Sequence, residues 1–280
     1  MQPVQSGPAR AALECSVRCT GLPAQLQPGY RLRLLSFNIQ VGIRTSAYHQ
    51  YLTRCWKHLL PHREREGNLQ AVGNLLDQYD LVALQEVDGG SLRTRHVNQV
   101  EQLALQARFP YWYQQLNRNL APFARHSNGL LSRIPLSRLE DHPLPGPAGR
   151  RAMLLRIGQG RDAVAVVMMH LALGSRTRNL QLAYVRELLQ DYRHFVLMGD
   201  LNTQPDELLN RSPLRGLALH AAQQAATFPS WKPSRCLDHI LLSDTLQSQG
   251  ARVLPYAVSD HLPVATELIL PPSLATLQVP

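Results

Sequence analysis

From Tyr30 onward, short apolar runs recur along the chain at strand length: residues 32–38, 81–86, 128–132, 153–157, 163–170, 195–200, 237–242 and 264–270. Between some of them the apolar period lengthens to that of a helix. Leu69, Val72, Leu75, Leu76 and Tyr79 recur at helical steps, as do Val97, Val100, Ala104 and Ala107. After Ser175, the series Leu180, Ala183, Tyr184, Glu187 and Leu188 predicts a third helix. Many strands, few helices and links too short for crossover helices predict mixed sheets flanked by helices, not a doubly wound parallel sheet.

Residues 1–29 mix Pro, Gly, Gln and small side chains without a period, so we expect a flexible leader, one domain over 30–271 and a short tail over 272–280. An inserted segment, residues 43–66, places Tyr48, Tyr51, Leu52, Cys55, Trp56, Leu59 and Leu60 along one helix face. That stripe either packs on the domain's edge or forms a lid or interfacial helix, with peripheral membrane contact through residues 46–60. The longest apolar run, 163–169, is far short of the roughly twenty residues that span a bilayer.

The chain has 280 residues and a formal net charge of +9. Its lysines are Lys57 and Lys232, so nearly all the cations are arginines, whose planar fork suits phosphate oxygens. The balance leans toward an anionic partner, nucleic acid or a phospholipid headgroup. Cys15, Cys19, Cys55 and Cys236 are too scattered for a disulfide framework. The first thirty residues hold no apolar block behind a basic start, which argues against a secretory signal. We therefore expect a reduced, cytoplasmic monomer.

The candidate chemistry sits at strand ends. Asn38 closes Leu-Leu-Ser-Phe-Asn, Glu86 closes Leu-Val-Ala-Leu-Gln-Glu, His170 closes Val-Val-Met-Met-His, and Asp200 closes Phe-Val-Leu-Met-Gly-Asp, with Asn202 two residues on. One such ending is explained by turn chemistry, but four on separate strands, with Asn202 just beyond the last, point to a constellation on rigid supports. Asp238 heads an apolar strand, and Asp260-His261 precede the last one. A carboxylate-oriented imidazole suits proton removal from water. Oxygen ligands without cysteine favour Mg²⁺, with Mn²⁺ as a substitute, over zinc. A hard cation and a general base together describe phosphoester hydrolysis.

The stretches Ser36-Phe37-Asn38-Ile39, Leu84-Gln85-Glu86-Val87, Ser127-Asn128-Gly129-Leu130-Leu131-Ser132-Arg133, His170-Leu171, Gly199-Asp200-Leu201-Asn202, Leu237-Asp238-His239-Ile240 and Ser259-Asp260-His261-Leu262-Pro263-Val264 together resemble the endonuclease/exonuclease/phosphatase superfamily, the DNase I-like fold. The resemblance implies a four-layer α/β sandwich, two mixed sheets face to face with helices outside, and one active site at the strand ends. By the same resemblance, Glu86, Asn38 and Asp260 are metal ligands. Asp200 orients or activates water, Asn202 binds the scissile phosphate, and His170 contacts phosphate or the leaving group. His261 is the base or transition-state stabiliser, held by Asp238. The order of proton transfer among Asp200, His170 and His261 stays open.

The chain departs from the base-excision nucleases of the family, which carry Tyr where His170 stands and Trp-Arg directly before the aspartate matched by Asp238. Here Trp231-Lys232 lies further upstream, as in sphingomyelinase-like and uncharacterised bacterial branches. Asn128, Trp231 and Arg118, the last beside Tyr111-Trp112-Tyr113, are candidate substrate contacts. The expected activity is metal-dependent hydrolysis of a phosphodiester, nuclease-type or general. The alternatives are a phospholipid or sphingomyelin headgroup, an inositol phosphate, or a binding module that kept the fold without the chemistry. Gly158-Gln159-Gly160 lacks the third glycine of a dinucleotide motif and is set aside.

Overall fold

The computed structural model describes residues 14–15, 29–53, 60–61 and 63–274. In chain order the strands are β1 (Glu14–Cys15), β2 (Arg31–Asn38), β3 (Leu81–Asp88), β4 (Tyr111–Leu120), β5 (Ala124–Ser132), β6 (Arg138–Pro143), β7 (Arg151–Ile157), β8 (Val164–His170), β9 (His194–Asp200), β10 (Leu219–Ala221), β11 (Asp238–Ser243), β12 (Gln247–Val253) and β13 (Val264–Ile269). The helices are α1 (Gln50–Thr53), α2 (Arg63–Leu76), α3 (Gln99–Gln106) and α4 (Ser175–Leu188). One sheet runs β1-β4-β5-β3-β2-β13-β12 and the other β10-β11-β9-β8-β7-β6. Each holds one parallel pair, β2 with β3 and β8 with β9, among antiparallel neighbours. The expected mixed sheets with helices outside are the observed fold.

Alternation along the central strands separates three apolar layers. Leu32, Leu34, Ala83, Val166, Met168, Val196 and Met198 fill the space between the sheets. Leu35, Phe37, Val82 and Leu84 turn the other way, onto Leu69, Val72, Leu76, Val100 and Leu103 of α2 and α3. Ala165, Val167 and Leu197 meet Leu182 and Val185 of α4. Glu64 and Glu66 in the first turn of α2 favour its positive end. The Asn98 side chain caps α3 by accepting from the Val100 and Glu101 amides.

The structure corrects the sequence reading in several places. In α4 the buried face is Arg178, Gln181, Leu182 and Val185, while Leu180 is 54% exposed. The one charge on this stripe, Arg178, donates to the Ala172 and Leu173 carbonyls, whereas the expected stripe includes Glu187. Strands β4, β6, β10 and β12 were not read from the sequence. β6 and β12 are mostly polar and β10 is only three residues long, and all three lie at sheet edges, where one face stays solvated and the apolar signal fades. Tyr111-Trp112-Tyr113 belong to β4, and Trp112 packs in the layer beneath α2 and α3. Of the helix expected along 48–60, α1 is described, and residues 54–59 lie outside the described residues. Pairing extends to Glu14 and Cys15, opposite Trp112 and Tyr111, and the buried Leu274 joins the core between the sheets. No helix among the described residues is long and apolar enough to cross a membrane.

Candidate active site

Strand register gathers the polar ends. Asn38 ends β2 beside Gln85 of β3, and His170 ends β8 opposite Asp200 of β9, because parallel partners finish at the same edge. Asp238 starts β11 opposite Asp200, since an antiparallel neighbour begins where its partner stops. The two sheets face each other with these edges together, and Asn38 donates from Nδ2 to Asp200 Oδ2 across the sandwich at 3.1 Å. Gly199 permits this convergence. Its φ is +142°, and a side chain there would collide with the Met169 carbonyl of β8.

Two β-bulges face strand β5 at this edge. In β3, two residues, Gln85 and Glu86, oppose the single residue Asn128, and Glu86 takes φ +54°. In β4, Asn117 is the extra residue between the pairs Leu116 with Ser127 and Arg118 with His126. Bulges re-aim side chains beside functional sites, and here Glu86 and Asn117 both line one cleft of about 290 Å³. Asn128, Arg118, Arg150 and His170 also line it.

Behind the cleft, Asp200 Oδ2 lies 3.5 Å from His170 Nε2 and 3.8 Å from His261 Nε2. His261 donates from Nδ1 to Asp238 Oδ2 at 2.8 Å, and Thr227 Oγ1 donates to the same oxygen at 2.6 Å. Phe228 packs on the imidazole with ring centroids 4.8 Å apart. Asp260 lies next in sequence, its Oδ1 accepting from Ser259 Oγ. The Asn38 amide is oriented by the Gln40 N–H, which donates to Oδ1. Its nitrogen therefore faces Glu86 and Asp200, so Asn38 braces two carboxylates instead of presenting its oxygen to them. Asn202, at φ +53°, donates one N–H to the Leu171 carbonyl and ties β8 to β9.

Burial sets the electrostatics. It pushes the Asp200 carboxyl up to about 7, against the pull of the His261 charge and with Asp238 adding to the rise. Burial and then Asp260 raise Glu86. For His261, burial alone would depress the imidazole, but Asp238, Asp200 and Asp260 together outweigh it and hold it well above its ordinary value. His170 is held well below, first by burial and then by the charges of Arg150 and His261, so it stays neutral.

Asp200, Asp238 and His261 offer ligand atoms within 4.8 Å of one another. Donor chemistry fits a hard divalent cation in this region, because the carboxylates of Glu86, Asp200, Asp238 and Asp260 converge here, with Arg150 and His261 as positive neighbours. The buried Asp238 Oδ1 also has no hydrogen-bond partner.

The structure thus brings Asn38, Glu86, His170, Asp200, Asn202, Asp238, Asp260 and His261 to one edge, with Asn128 and Arg118 in the adjoining cleft. Trp231 does not line that cleft. It meets Tyr48 edge-on, with ring centroids 5.3 Å apart. Arg150, Thr227 and Asn117 escaped the sequence reading. Arg150 directly precedes β7, but the expected strand begins only at Met153, so the strand-end pattern does not reach it. Thr227→Val is expected to lower kcat about tenfold, by releasing one restraint on Asp238 and hence on the imidazole, with KM little changed. Steady-state kinetics on a folded variant checks this.

Comparison with known proteins agrees with the geometry. Three similar solved structures are an endonuclease/exonuclease/phosphatase from Beutenbergia cavernae DSM 12333 (19% identity, 86% of this chain and 72% of that one, TM-score 0.63), a humanized D. rerio TDP2 (15%, 85% and 98%, 0.60), and the mannosyl-6-phosphatase Bt3783 of Bacteroides thetaiotaomicron VPI-5482 (14%, 85% and 99%, 0.60). At such identities the likeness shows the fold. No match was found among curated proteins. The family model for the Endonuclease/Exonuclease/phosphatase family matches residues 35–261, and on that match, across strands, loops and every strand-end residue described above, the chain belongs to this family.

Proposed function

We propose that the protein is a divalent-cation-dependent hydrolase of phosphoesters. The observation that carries this reading is the line from Asp238 through His261 to Asp200, beside the carboxylate of Glu86. Glu86 and Asp260 would hold the cation, which supplies charge neutralisation at the phosphoryl oxygens. Asp200, with its carboxyl raised toward neutrality, takes the proton of the attacking water as the new P–O bond forms. His261, charged at neutral pH and fixed by Asp238, points Nε2–H at the reacting phosphate and protonates the departing alcohol as the old P–O bond breaks. The proton on Asp200 then returns to His261 Nε2, 3.8 Å away, and restores both groups. Arg150 binds phosphate oxygens in the cleft, and neutral His170, which lines the same cleft, holds Asp200.

The experiment is a hydrolysis panel in Mg²⁺ and in Mn²⁺: bis-nitrophenyl phosphate, oligonucleotides, inositol phosphates and sphingomyelin vesicles. One similar structure is called a phosphatase, so the panel includes monoesters as well as the diesters expected from the arginine-rich composition. At least one class should be hydrolysed, with activity lost on chelation and restored by the metal. Silence across the panel, together with no Mg²⁺ or Mn²⁺ binding at millimolar concentration, would favour the binding-module reading.

A further inference from the structure

The cleft beside Glu86 contains an amide whose direction is fixed by a chain of hydrogen bonds reaching into the other sheet. Asp141 of β6 can only accept. It takes Arg151 Nε at 2.8 Å and Gln115 Nε2 at 2.7 Å on the same oxygen. Gln115, fully buried in β4, must therefore turn Oε1 away from Asp141. That oxygen accepts from Asn128 Nδ2 at 3.0 Å, which commits the Asn128 nitrogen to the protein. What remains is Asn128 Oδ1, a buried acceptor with no partner on a side chain that is 3% exposed and lines the cleft. Asn117 Oδ1, on the neighbouring bulge and the same cleft, is likewise buried without a partner.

An unsatisfied buried acceptor is costly, and a phosphate oxygen cannot relieve it, because the ionised phosphoryl group also only accepts. A hydroxyl on the organic part of the substrate supplies a donor that the phosphate lacks. Resting on the phosphoesterase reading, we infer that Asn128 is a specificity-determining residue that selects phosphoesters whose alcohol carries a free hydroxyl close to the ester carbon. A cleft of about 290 Å³ has room for a single sugar or cyclitol ring. The guanidinium of Arg150 meets the phosphate on one side of the ring while Asn128 receives the hydroxyl on the other. The same hydroxyl chemistry occurs in sugar and cyclitol phosphates and in the ribose of ribonucleotides.

Two matched pairs test this: myo-inositol 1-phosphate against cyclohexyl phosphate, and a uridine dinucleotide against its deoxyribose counterpart, each assayed for kcat/KM with Mg²⁺. The wild type should favour the hydroxylated member of at least one pair by about 10- to 100-fold, and the pair that shows the preference identifies the source of the hydroxyl. Asn128→Leu should bring that ratio to within about threefold by lowering the hydroxylated rate and sparing the other, a pattern that general loss of structure would not give. If Asn128→Leu does not fold, Gln115→Met keeps Asn128 but lets its amide turn, and the ratio should fall likewise. Equal rates within both pairs, or a ratio unchanged in the variants, overturns the inference. Turnover of other phosphoesters but of none of these four also overturns it, while leaving the phosphoesterase reading intact. Inactivity on every phosphoester tried overturns both.

Discussion

His261→Ala is expected to lower kcat/KM on a hydrolysed phosphoester by about 10²- to 10⁴-fold. The imidazole is the one group that contacts Asp238 at 2.8 Å through one nitrogen and faces Asp200 with the other, so its loss removes both the proton for the departing alcohol and the route that resets Asp200. No neighbour can substitute. His170 is neutral and so carries no proton charge to give, and Thr227 is committed to Asp238. Truncation also removes one of the two donors to buried Asp238 Oδ2, leaving Thr227 Oγ1, at about 1–3 kcal/mol, so the melting temperature should fall while the protein still folds. Kinetics and thermal unfolding on the same preparation separate the two effects. A folded variant with more than about a tenth of wild-type activity would remove His261 from the reaction.

Glu86→Gln should abolish measurable hydrolysis, by at least about 10²-fold, and weaken Mg²⁺ or Mn²⁺ binding together with it. The carboxylate sits at positive φ on a bulge, beside Asp260, and accepts a hydrogen bond from Asn38. Such a group is held against both burial and a like charge, a strain that a cation would relieve and a neutral amide would not need relieved. Metal-free Glu86→Gln should therefore melt at the same temperature as the metal-free wild type or higher, although it is inactive. Calorimetric metal titration and thermal unfolding under chelation supply the check. Unchanged metal affinity would move the cation to the Asp200, Asp238 and His261 group.

The site residues were legible because each interrupts an otherwise apolar run: Asn38, His170, Asp200 and Asp238 stand at the ends of buried strands, while Glu86, expected at the end of its strand, sits on a bulge two residues before β3 finishes, and strand pairing carries them all to one edge. Other features were hidden for physical reasons. Asn117 reaches the cleft only because β4 gains a residue against β5, and a bulge leaves no periodic trace in a polar stretch. Arg150 lies at the start of its strand within a Pro/Gly-rich approach, where a charge reads as ordinary surface. The buried face of α4 was misphased because Leu180 looks apolar on paper, while tertiary packing follows Leu182 and Val185.

The extra residue in β3 also resets parity. Val82 and Leu84 point toward α2 and α3, and unbroken alternation would send residue 86 there next. Instead Val87 occupies that place in the apolar layer. Glu86 is thereby exempt from the alternation its neighbours obey: the strand fills its quota of hydrophobic contacts without it. Selection is free to change the acid, or to omit it, with the layer beneath undisturbed, so chemistry at this edge can diverge faster than the scaffold that displays it.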